Sequence, residues 1–93
     1  MEKEKLFKIA KILVGREIRT YNKRHTNPEH SRDYIEYVAN DLETEILIRP
    51  GGCTYVLNVD RLIEIANGLG ASYYIDVTKN NYNESAACIV IYF

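Results

Sequence analysis

Ser85-Ala86-Ala87-Cys88-Ile89-Val90-Ile91-Tyr92-Phe93 is the stretch on which the fold turns. It is apolar at odd and even positions alike, so neither face of a strand built from it suits water. Such a strand is either central and covered on both faces, or an edge that another chain covers. Ahead of it, residues 71–77 read Ala-Ser-Tyr-Tyr-Ile-Asp-Val, a second β-rich run. The linker between them, residues 78–84, is polar and asparagine-rich, so the two runs are expected to pair as an antiparallel hairpin.

Working towards the N-terminus, Leu62, Ile63, Ile65 and Ala66 repeat at helical spacing. A short helix over about residues 59–67 is expected, capped by Asn58 and ended by Gly68 in the left-handed conformation, with Leu69 folded back on its last turn. Residues 44–49 and 53–57 are rich in β-branched side chains and flank Pro50-Gly51-Gly52, which reads as a hairpin. Asn27-Pro28-Glu29 has the form of a helix start. It predicts a helix to about Asn40 that buries Tyr34, Ile35, Val38, Ala39 and Leu42.

The opening segment has the clearest period. Leu6, Phe7, Ala10, Leu13, Val14, Ile18 and Tyr21 fall on one half of a helical cylinder, and Lys5, Lys8, Lys11, Arg16, Arg19 and Lys23 on the other. Glu17 lies within the apolar arc and Ile12 within the basic one. This helix is expected over about residues 3–22. Gly15 weakens it by about 1 kcal/mol relative to alanine, and close packing or a slight bend is a reason to keep a glycine there. The elements therefore run in the order ααββαββ. The expected architecture is a single α+β domain over residues 1–93, with a four-stranded, mainly antiparallel sheet and helices packed on one face.

Composition bounds the rest. The chain has 93 residues, 46% apolar and 27% charged, with a formal charge of −1. That is too apolar and too balanced for a disordered chain, and too short for two domains. No apolar run approaches the roughly 20 residues that span a bilayer, so no membrane partner is expected. The charged opening Met1-Glu2-Lys3-Glu4-Lys5 lacks the form of a signal peptide, and a cytoplasmic location is expected. Cys53 and Cys88 are too few for a disulfide scaffold and read as buried free thiols, although a pairing between neighbouring strands is an alternative. Eleven Ile, eight Asn and eight Tyr with no Trp suggest an A+T-rich genome, and a phage or other mobile element is a candidate origin.

Charge is divided unevenly. Up to Arg32 nine basic residues face four acidic ones, and from Asp33 onward three basic face nine acidic. Local fields of this kind steer partners. Lys8, Arg16, Arg19, Lys23 and Arg24 are the candidate partner-binding cations. Tyr82, at the tip of the asparagine-rich linker, is a candidate contact residue because tyrosine gives contact area at low entropic cost.

Catalytic motifs are missing from the pattern. There is no phosphate-binding glycine loop, and His25 and His30 are wrongly spaced for two ligands on one helical face. No cofactor and no metal site are expected. His30, Ser31 and Asp33 are near neighbours at an expected helix start, which suits capping better than nucleophilic catalysis.

The function expected is therefore a non-enzymatic regulator or inhibitor that engages a protein or nucleoprotein complex through the basic helix face. Direct nucleic-acid binding is the alternative, and a small nuclease or toxin using His25 or His30 the second. The apolar last strand also admits a homodimer through its edge.

Overall fold

A computed structural model describes residues 2–25, 34–51 and 59–93, with the side chains of residues 24 and 25 left out. Its elements are α1 (Glu2–His25), β1 (Ile35–Ala39), β2 (Glu45–Pro50), α2 (Asp60–Gly68), β3 (Ser72–Lys79) and β4 (Ser85–Tyr92). The four strands form one antiparallel sheet in the order β1-β2-β4-β3. The protein is a small α+β domain with a four-stranded antiparallel sheet, as its periodicities lead one to expect.

Two hairpins, β1-β2 and β3-β4, meet where β2 pairs with β4. Register assigns the side chains to faces, because directly opposed residues share a face. Ile35, Ile46, Ile48, Ile89 and Ile91 point to the side where α1 and α2 lie. There they meet Phe7, Ala10, Val14 and Ile18 of α1 and Leu62 and Ala66 of α2. Phe7 also meets Phe93 edge to face, with ring centroids 6.0 Å apart.

The last strand is central, bordered by β2 on one side and β3 on the other. Both of its faces are buried, yet among the described residues only one carries helices: Ala86, Cys88 and Val90 are buried on the other, open face. Register flanks them with Leu47 of β2 and Tyr74 and Asp76 of β3, and Tyr74 stacks obliquely on Tyr92 at 5.8 Å. With β2 and β3 on its two sides, assembly through the edge of this strand is closed where they pair, and among the described strands the edges are β1 and β3.

One expected helix is not formed over the described part of its span. Of residues 28–40, 28–33 lie outside the described residues and Ile35–Ala39 is a strand, so the described order is αββαββ. The segment carries both patterns. Ile35, Val38 and Ala39 fit a helical stripe, while Ile35, Tyr37 and Ala39 alternate. Tertiary contacts decide for the second: β2 pairs along all of β1, and the Asn22 amide bonds both backbone groups of Ile35, at 2.8 and 2.9 Å. Of the hairpin expected between residues 44–49 and 53–57, only the first strand falls within the described residues. The partners of β2 are β1 and β4, and residues 52–58 lie outside the described residues.

Smaller expectations move by a residue or two. The cap position of α2 is Val59, which makes no side-chain cap bond, and Asn58 is outside the described residues. Gly70, not Gly68, takes the left-handed conformation, at φ 67°. Around it Gly70 N–H donates to Asn67 O and Ala71 N–H to Ala66 O, the paired bonds of a Schellman stop. Gly15 has its packing reason. A Cβ there would lie 2.9 Å from Tyr37 Oη, so β1 rests against α1 at the one residue without a side chain.

Candidate interaction surface

The two faces of α1 divide as the wheel predicts. Leu6, Phe7, Ala10, Leu13, Val14, Ile18 and Tyr21 face the core, buried or half-buried, while Lys5, Lys8, Lys11, Arg16, Arg19 and Lys23 are exposed. The opposed ends, Lys5 and Lys23, are about 27 Å apart along the axis.

Glu17, the acid inside the apolar arc, sits where α1 meets α2 and lies 3.7 Å from Arg61 Nε. Arg61 also bonds Glu64 at 2.8 Å, and Arg49 bonds Glu36 at 2.8 Å. These pairs occupy arginines of the sheet and of α2. Among the described residues, no carboxylate is paired with Lys8, Arg16, Arg19 or Lys23. The side chain of Arg24 lies outside the described residues.

Unpaired cations one turn apart repel. Lys5–Lys8, Lys8–Lys11, Arg16–Arg19 and Arg19–Lys23 are (i, i+3) or (i, i+4) neighbours, and each such like-charge pair costs the helix roughly 0.2–0.5 kcal/mol. The fold therefore carries a small electrostatic strain along this face that an opposing acidic surface relieves. The cations also surround two apolar side chains. Ile12 is 55% exposed and Ile9 43%. Ile12 was placed in the basic arc by its position, whereas Ile9 was missed. Its angular position, roughly opposite Phe7 and Val14, is the signal that finds it.

Tyr82 is placed elsewhere. It sits in the turn between β3 and β4, about half exposed, and its N–H donates to Asn80 Oδ1 at 2.9 Å. The same oxygen accepts Glu84 N–H at 3.0 Å, and Asn80 is buried. Asn81 bonds Tyr34 Oη and accepts from Arg49 at 3.3 Å. Asn80 thus closes the turn on itself, and Asn81 holds it against Tyr34, just before β1, and Arg49 of β2. This turn shares an end of the sheet with the C-terminal turn of α1, which Asn22 fastens to Ile35, but Tyr82 belongs to a separate element from the cationic face.

The side chain of His25 and all of His30, Ser31 and Asp33 lie outside the described residues. No group of three His, Cys, Asp or Glu is placed to hold a metal among the described residues. Cys88 is a buried free thiol, and burial, reinforced by the Asp76 carboxylate, pushes its pKa up. This suits a packing residue and opposes a reactive one. Cys53 lies outside the described residues. No helix is long and apolar enough to cross a membrane among the described residues. No family model matches this chain, and neither a curated protein nor a solved structure matches it.

Proposed function

We propose that this chain is a non-enzymatic binding protein that docks the outer face of α1 onto an acidic surface of a macromolecular partner, acting as a regulator or inhibitor by occupying that surface. One observation carries the reading: Lys8, Arg16, Arg19 and Lys23 are exposed together and hold no carboxylate of the described chain. Ile9 and Ile12 favour a protein, or the protein part of a nucleoprotein complex, over bare phosphates, because they offer apolar contact at the centre of the charge. A cytoplasmic setting and a mobile-element origin belong to the same reading, on the sequence composition alone.

Capture from cytoplasmic extract with wild type and with Arg16→Glu/Arg19→Glu/Lys23→Glu tests this. A partner that survives nuclease treatment, is held by wild type and is lost by the triple variant supports it. Capture indifferent to the charge reversal refutes it. Salt-sensitive binding to labelled oligonucleotides that the same substitutions abolish transfers the function to nucleic acid.

A further inference from the structure

The edge of the sheet formed by β3 differs from the edge formed by β1. β1 has five residues, lies beside α1 and is fastened at its start by Asn22. β3 has eight residues and is paired with β4 alone among the described residues. Its side chains are open on both faces: Tyr73 is 38% exposed, Tyr74 45%, Ile75 54% and Val77 70%. Long, flat, apolar edges are templates for pairing, and proteins usually blunt them with lysine, proline or a bulge. Here the protection is slight. Asp76 Oδ1 accepts the N–H of Val77 at 2.8 Å. That bond marks Val77, and by alternation Tyr73, Ile75 and Lys79, as the residues whose backbone groups aim outward.

The edge is complementary to itself. A two-fold axis normal to the sheet pairs residues whose numbers sum to an even value, and each placement of the axis gives a different match. Centred on Ile75, it sets Ile75 opposite the partner's Ile75 and Tyr73 opposite the partner's Val77, all on the helix side. On the open side it sets Asp76 opposite the partner's Tyr74, which keeps the two carboxylates from standing against each other. Centred on Asp76, it opposes two carboxylates, which is unfavourable. Centred on Tyr74, it leaves Val77, the most exposed of the four, against the partner's Ala71 beyond the strand.

From this we infer that a second copy of the chain covers β3, in a symmetric antiparallel dimer centred on Ile75 that joins two four-stranded sheets into one. Two paired strands of this length bury on the order of 900 Å² in total, short of the roughly 1,200 Å² of stable interfaces and within the range of weak, transient ones. The dimer is accordingly weak and concentration-dependent. It does not involve the cationic face of α1, so the Arg16→Glu/Arg19→Glu/Lys23→Glu variant is expected to dimerise like wild type.

Disulfide trapping reads the register. In a Cys53→Ala/Cys88→Ala background, Ile75→Cys is expected to cross-link with itself under mild oxidation. Tyr73→Cys and Val77→Cys are expected to cross-link several-fold more when mixed than when alone. Ile75→Lys, at an exposed position, is expected to remain folded by circular dichroism and to sediment as a monomer. A wild type that stays monomeric at high concentration overturns the inference. So does trapping that is equal at all three positions. A monomer whose outward β3 amides resist hydrogen exchange also overturns it, since the edge is then covered from within the chain.

Discussion

Gly15→Ala sets two effects of known size against each other at the contact between α1 and β1. Alanine is favoured over glycine inside a helix by about 1 kcal/mol. The new methyl, however, would stand 2.9 Å from Tyr37 Oη, 3.4 Å from Arg19 Nη1 and 3.5 Å from Tyr37 Cζ. The Arg19 tip is exposed and gives way easily. The phenol belongs to a half-buried ring, and displacing it costs about 1–3 kcal/mol, as overpacking does elsewhere. Gly15→Ala alone is therefore expected to lie between neutral and about 2 kcal/mol destabilising. In a Tyr37→Phe background the hydroxyl is gone and the nearest ring carbon is at an ordinary contact distance. The same substitution should then stabilise by about 1 kcal/mol, raising Tm by roughly 4–8 °C. Urea and thermal unfolding of wild type, both single variants and the double variant give the coupling directly, expected at about 1–3 kcal/mol. Equal stabilisation by Gly15→Ala in both backgrounds would refute the close approach of β1 to α1.

Three further outcomes are expected. Asn22→Ala removes both hydrogen bonds to the Ile35 backbone and should cost about 1–3 kcal/mol in urea unfolding; unchanged exchange of the Ile35 amide would show that this fastening is not made. Arg19→Glu turns repulsion with Arg16 and Lys23 into attraction, so it should stabilise the fold by up to about 1 kcal/mol while weakening partner binding; stability and affinity falling together would point to a structural role instead. The Cys88 thiol, its pKa raised by burial and by Asp76, holds its proton in the folded chain at pH values where the unfolded chain loses it. That stabilisation is complete below the ordinary thiol range and is lost as pH climbs through the folded pKa. Cys88→Ala should flatten the alkaline part of a stability–pH curve, and an unchanged slope would count against the raised pKa.

Much of this molecule is legible along the chain, and the reasons differ by element. In α1 a 3.6-residue period continues for more than five turns, so one misplaced residue such as Glu17 cannot hide it. In β4 the apolar residues from Ala86 onward show that both faces want cover, without deciding between a central strand and an edge, and the polar linker before it identifies the hairpin with β3. The cationic face is equally readable, because exposure follows from lying opposite the apolar arc.

What local pattern leaves undecided is any short segment with two compatible periods. Residues 34–40 fit a helical stripe and a strand alternation at once, and a helix-start signal nearby tilts the reading the wrong way. Only the unpaired edge of β2 and the Asn22 amide decide it, and both are remote in sequence. The same holds for the surfaces. The chain itself determined that α1 has a charged side, since that follows from spacing. That Lys8, Arg16, Arg19 and Lys23 pair with no carboxylate among the described residues while Arg49 and Arg61 do, and that β3 rather than the apolar last strand lies at the edge of the described sheet, depends on which strands become neighbours. Strand order is a property of long-range pairing, and nothing in local periodicity encodes it.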